Sequence, residues 1–159
     1  MADTTARLEA VGDWDTQSTV GLRGIIGHMS VPLPDLARRL LDANTFAVLS
    51  TLNPDGAPQS SVIWLKREDD DVLFSTIYGR RKTKNMQRDP RVSICMYDPA
   101  DPYAYVEIRG SVDMTETNGR ELINELSLRY DGVEFRVEPP EIVRVVCRVA
   151  ADRVLVHSD

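Results

Sequence analysis

Residues 46–64 read FAVLSTLNPDGAPQSSVIW, and this stretch decides the fold class. Phe46–Leu52 is apolar and β-rich enough for a strand, and Pro58 opens a second strand that runs to Arg67. Between them Asn53-Pro54-Asp55-Gly56 forms a tight turn, in which proline fixes φ and glycine accepts a positive φ. Strand, short turn and strand make an antiparallel hairpin rather than a βαβ unit.

The pattern continues on both sides. Val72–Ile77 is a third strand, reached through Glu68-Asp69-Asp70-Asp71. That run reads as a solvated hairpin tip, because four adjacent acids cannot all face one metal ion. Arg80–Asp89 follows Gly79 as a short helix ended by Pro90. Arg91–Tyr97 and Tyr103–Thr115 are strands joined by a loop at 98–102, with Gly110 marking a bulge or a close approach. Glu107 and Arg109 alternate with Val106 and Ile108, which predicts a cross-strand ion pair. Trp64 alternates with Val62 and is expected in the barrel core or at a subunit contact. Upstream, Leu36, Leu40 and Leu41 form the stripe of a helix over Pro34–Ala43. Downstream, Thr117 or Asn118 is expected to cap a helix whose Leu122, Leu126 and Tyr130 share a face. A last strand runs from Ile142 to about Val156. Hairpin-linked strands with few helices argue for a mainly β, antiparallel barrel and against a doubly wound α/β sheet. Residues 1–30 carry four glycines and no sustained period, so they read as an N-terminal arm to a single domain over 31–159.

Composition narrows the function classes. The chain has 159 residues, 42% apolar and 28% charged, a globular balance with no run approaching the roughly 18 apolar residues of a membrane span. Asp3, Glu9, Asp13 and Asp15 do not suit a secretory signal. Cys95 and Cys147 fall in strands and read as core residues, with cross-strand pairing left open, and a cytoplasmic location is expected. The net charge of −6 is unevenly placed. Residues 79–91 hold Arg80, Arg81, Lys82, Lys84, Arg88 and Arg91 against one acid, Asp89, leaving 13 basic and 24 acidic residues elsewhere. A nucleic-acid binder spreads its basic surface more widely. One basic island on an acidic protein suits a small anion.

Self-contained catalytic arrangements are missing from the sequence. His28 and His157 sit near the two ends with no nucleophile elbow, no Cys/His spacing resembles a zinc site, and neither GxGxxG nor a Walker loop occurs. A protein whose cofactor carries the reaction needs only to hold and tune that cofactor. Arg80-Arg81-Lys82-Thr83-Lys84-Asn85 is the candidate holder: Arg offers a planar fork, Lys a mobile point charge, and a helix start free N–H donors. On charge content alone the same residues read as a solvated helix. Their position after a strand, on an acidic protein, favours the anion seat.

The segment at 46–64, followed by VLFSTIYGRRKTKNMQRDPRVSI at 72–94 and YAYVEIRGSV at 103–112, resembles the pyridoxamine 5'-phosphate oxidase-like split-barrel superfamily. The KTKN element is most similar to the deazaflavin-dependent oxidoreductases of the B group, which use coenzyme F420, and the likeness runs from about Pro34 to Val156. It implies an FMN-binding-like antiparallel split β-barrel with short flanking helices. It also implies a homodimer with a cofactor in each of two grooves between subunits. Arg80, Arg81, Lys82 and Asn85 would correspond to the phosphate-binding segment; Gln59, Ser61 and Val62 to the strand beside the ring; Ser75 and Thr76 to the ring or ribityl side. Tyr103 would match an aromatic position contributed by the partner subunit. Val62 stands where some relatives carry a polar Asn. The activity implied is reduction of a small conjugated substrate by reduced coenzyme F420. An FMN-dependent oxidase or reductase is the second reading and a non-enzymatic carrier or sensor the third.

Overall fold

The computed structural model describes residues 29–158. In order, its elements are α1 (Asp35–Asp42), β1 (Ala47–Leu52), β2 (Pro58–Ile63), β3 (Lys66–Glu68), β4 (Asp71–Ile77), α2 (Arg81–Arg88), β5 (Arg91–Asp98), β6 (Asp101–Thr115), α3 (Gly119–Tyr130) and β7 (Arg144–His157). The seven strands form one antiparallel sheet in the order β2-β1-β5-β6-β7-β4-β3. Its two edges, β2 and β3, are consecutive in sequence, so the sheet must curl until its edges lie only Trp64 and Leu65 apart. This is the antiparallel split barrel, with three short helices and no full closure. Most of the proposed arm, residues 1–28, lies outside the described residues.

The single strand expected over Pro58–Arg67 is broken at Trp64-Leu65, and the packing explains the break. Leu65 is fully buried and Trp64 stacks on Tyr130 with ring centroids 5.5 Å apart. The Tyr130 hydroxyl accepts from Leu65 N–H (3.3 Å) and lies within donating reach of the carbonyls of Leu65 (3.0 Å) and Thr45 (3.1 Å). One side chain therefore satisfies backbone groups that the ladder would otherwise pair.

Period-two alternation sends Leu49, Phe74, Ile94, Met96, Val106, Ile108, Val145 and Val149 into the interior, where they meet Leu40 and Leu41 of α1. A second cluster of Leu73, Leu122, Leu126 and Val146 seats α3 on the opposite face of β4 and β7. At Gly110 the β6–β7 register shifts, and a Cβ there would lie 2.1 Å from the Ala150 carbonyl oxygen. The glycine is required by close approach.

Four local expectations change. Glu107 and Arg109 pair with each other along β6 (2.8 Å) rather than across strands, being two residues apart on one face. Asn118 precedes α3 at φ +61° and its side chain makes no cap bond. The acidic run is not simply solvated: Glu68 and Asp71 pair with Arg148, and Asp70 with Arg38. Cys95 is exposed on the outer sheet face, whereas Cys147 is buried, and both are free thiols. Val31, the first residue of the expected domain, is tied to β7 by its N–H, which donates to Ala151 O at 2.9 Å. No described helix is long and apolar enough to cross a membrane.

Candidate functional site

Helix α2 begins as β4 ends. Gly79 turns the chain at φ +89°, Arg80 takes the extended N-cap conformation, and the first helical bond runs from Lys84 N–H to Arg80 O (3.1 Å). The N–H groups of the first turn therefore precede the intrahelical ladder. The helix has two faces: Lys82, Thr83, Asn85 and Met86 are buried, while Arg81 and Lys84 are exposed.

Much of the buried face holds the helix in place. Asn85 donates both amide protons, to Thr51 Oγ1 (3.0 Å) and Asn53 Oδ1 (3.0 Å). Thr51 donates to Gln59 Oε1 (2.9 Å), so the amides of Asn85 and Gln59 belong to the joint between α2 and the β1–β2 hairpin. Thr83 Oγ1 donates to Ile77 O (2.7 Å) and meets Thr76 Oγ1 at 3.2 Å. Thr76 is fully buried on the core face of β4, because successive strand residues face opposite ways. Ser75 therefore faces the α3 side.

Lys82 behaves differently. It is 9% exposed and its ammonium donates to Ser61 Oγ at 2.9 Å, with no carboxylate paired to it among the described residues. Burial pushes its pKa below the usual lysine value, and the neighbouring Arg80 charge pushes the same way. A buried lysine that lacks a counter-anion is costly, and an arriving anion removes that cost. Ser75 Oγ is the one buried side-chain polar atom among the described residues without a hydrogen-bond partner. Both side chains line a cavity of about 270 Å³ together with Arg80, Val62, Trp64, Phe135, Arg136 and Arg144. An orphaned hydroxyl, a buried cation and a free helix start fit the phosphate and polar edge of a flavin-type cofactor.

The other expected site residues are arranged around this centre. Arg81 and Gln59 line a second hollow, with Asn53, Pro54 and Asp55. Tyr103 is 72% exposed at the start of β6 and lines neither hollow. The sequence did not point to Phe135, Arg136 and Arg144, which come from an aperiodic segment and the first residue of β7. The one local signal was an aromatic beside an arginine in a loop. Cys147, its thiol pushed up to about 12 by burial, does not supply a nucleophile.

A curled antiparallel sheet with a basic, anion-ready helix start beside an edge strand defines a split barrel of the flavin-binding type. The chain belongs to the pyridoxamine 5'-phosphate oxidase family, whose profile matches residues 33–158. This is an oxidoreductase family that binds flavin-type cofactors. Among curated proteins, the pyridoxine/pyridoxamine 5'-phosphate oxidase of Acidothermus cellulolyticus is 36% identical over 63 residues, covering 40% of this chain and 28% of that protein. Its namesake from Rubrobacter xylanophilus is 39% identical over 51 residues, covering 31% and 24%. The matches thus span about a quarter of those relatives' length. Among solved structures, an F420 reductase aligns at a TM-score of 0.69 and 29% identity, covering 77% of this chain and 98% of that one. A putative pyridoxamine 5'-phosphate oxidase from Listeria innocua aligns at 0.60 and 17% identity, covering 74% and 92%, a likeness of fold.

Proposed function

We propose that the protein is a coenzyme F420-dependent oxidoreductase acting on a small conjugated organic substrate. The observation that carries this reading is Lys82, a buried ammonium beside the start of α2 with no carboxylate partner among the described residues. The likeness to an F420 reductase over nearly that protein's whole length favours the deazaflavin. When bound, the reduced deazaflavin supplies a hydride to the substrate.

The chain's own residues bind and orient. Lys82 and Arg80 offset the phosphate charge, and the N–H groups of the first turn of α2 add donors. Ser75 Oγ offers a hydrogen bond to a polar atom placed in the cavity. Ser61 holds the Lys82 ammonium in position, and β2, as an edge strand, leaves one side of its backbone unpaired within the sheet for the ring's polar edge. Val62 and Trp64 present apolar surface that excludes water from the ring.

A second copy of the chain is part of this reading. The single-chain cavity is only about 270 Å³, at the small end of ligand pockets, and encloses part of a flavin-sized ring. On the outer sheet face Val62 registers with Val48, and Tyr97 with Tyr105; these side chains are between 38% and 65% exposed. Such a face suits an isologous dimer, and Tyr103 would reach the partner's site from it.

An FMN-dependent oxidase is the second reading, favoured by the names of the curated relatives. Titrating the pure apoprotein with FMN, FAD and coenzyme F420 decides between them. Tightest binding of F420 supports the first reading, and tightest binding of FMN the second. Binding of none removes both.

A further inference from the structure

Residues 131–143, between α3 and β7, place two side chains in the Lys82 cavity that phosphate anchoring does not use: Phe135 and Arg136. The segment is pinned. Phe135 N–H donates to Asn124 Oδ1 at 2.9 Å. Glu138 and Arg144 form a two-point ion pair (2.8 and 2.5 Å) whose side chains are only 7% and 5% exposed. The Arg144 guanidinium also lies 4.8 Å from the Phe135 ring centroid, so the ring is held by charge as well as by backbone. Arg136 lies against the same ring at 5.5 Å, and its fork makes no ion pair among the described residues.

Counting charge around the cavity exposes an excess. Arg80, Lys82, Arg136 and Arg144 line it, and among the described residues no carboxylate does. Glu138 neutralises Arg144. A phosphate group carries about one to two negative charges near neutral pH, which Arg80 and Lys82 match. Arg136 is left over: its backbone is pinned beside Phe135, and its exposed side chain, with no ion pair of its own among the described residues, is ordered only when a ligand takes it.

We propose that Phe135 and Arg136 form a carboxylate subsite beside the phosphate seat, filled by the carboxylate of a conjugated substrate or of the cofactor's acidic tail. The inference rests on the reading of Lys82 as a phosphate anchor. The planar guanidinium fork matches a carboxylate at two points, which a lysine does not. The Phe135 ring gives the attached conjugated body an apolar wall. No bond is made or broken there; Arg136 positions.

The test uses the full chain, as wild type, Arg136→Gln and Arg136→Lys, with calorimetric titration of three probes. FMN carries a phosphate and no carboxylate, coenzyme F420 carries an oligoglutamate tail, and cinnamate is a small conjugated carboxylate, added to the apoprotein and to cofactor-saturated protein. Arg136→Gln should leave the FMN dissociation constant within about twofold and weaken one carboxylate probe about tenfold, the loss of one charge-assisted contact. Arg136→Lys should recover only part of that loss. A loss on cinnamate assigns the subsite to substrate, and a loss on F420 assigns it to the tail. Unchanged binding of both, or an equal loss on FMN, overturns the subsite. Lys82→Met separates the two ideas: if it leaves FMN and F420 binding unaltered the phosphate seat fails, whatever Arg136→Gln does to cinnamate.

Discussion

Replacing Lys82 by Met keeps the length and packing of the side chain and deletes its charge. With the cofactor bound, the lost contact is a charge-assisted hydrogen bond, worth about 1.5–3 kcal/mol. At 1.4 kcal/mol per decade this is roughly a ten- to a hundredfold rise in the dissociation constant. Without cofactor the sign reverses. The folded-state pKa of Lys82 is depressed because burial and Arg80 disfavour the ammonium. A base with a depressed pKa destabilises the fold while it is charged in both states. That cost is full below the folded pKa and disappears as pH rises through it toward the unfolded one. Lys82→Met should therefore give an apoprotein whose unfolding midpoint is at or above the parent's, since half-buried Ser61 can turn its freed hydroxyl to water. Affinity is read by fluorescence titration at two salt concentrations, with a shallower salt dependence expected in the variant. Lys84→Met, which removes the same charge from the exposed face of α2, is the control. Affinity and stability falling together, or equal small effects at Lys82 and Lys84, would refute the reasoning.

Ser75→Ala should likewise weaken cofactor binding, by about three- to tenfold for one neutral hydrogen bond, while leaving apoprotein stability unchanged or higher, because the hydroxyl it removes has no partner; calorimetric titration and thermal melting check the two halves. Glu138→Gln should cost about 3–5 kcal/mol in urea unfolding, because it strands the buried Arg144 charge. The Arg144 contact holds the Glu138 carboxyl below its ordinary 4.5, so its contribution is full above about pH 4.5 and is lost as pH falls through the lower folded value. A melting midpoint that stays flat from pH 6 to pH 3 would contradict this. Val62→Asp places a carboxylate on the exposed apolar sheet face and should convert a dimer into a monomer by light scattering, with weaker cofactor binding; a parent chain that is monomeric and still binds tightly removes the shared-site reading.

Strand and helix types were legible because they rest on local rules. The apolar, β-rich run of Phe46–Leu52, the alternation in Tyr103–Thr115, the Asn53–Gly56 turn and the stripe of α1 each fix a nearest-neighbour geometry, and the structure keeps them. Gly110 was legible as a special position, and the Ala150 carbonyl explains why. The basic island was legible too, because composition registers six cations against one acid. Sequence could not assign roles within it. Helical periodicity puts Lys82 and Asn85 on one face, but only the position of the β1–β2 hairpin makes Asn85 a strut and sets Lys82 against Ser61, with no counter-charge among the described residues. Nor could it sort Ser75 from Thr76, neighbours whose opposite facing depends on which side of β4 meets α3. The corner at Trp64-Leu65 and the wall at Phe135–Arg136 were decided by tertiary structure alone. The first depends on a tyrosine hydroxyl 65 residues away and the second on a buried ion pair between a loop and a strand. Local sequence sets which conformations are cheap, whereas long-range burial decides which polar groups are spent on the scaffold and which are left for a ligand.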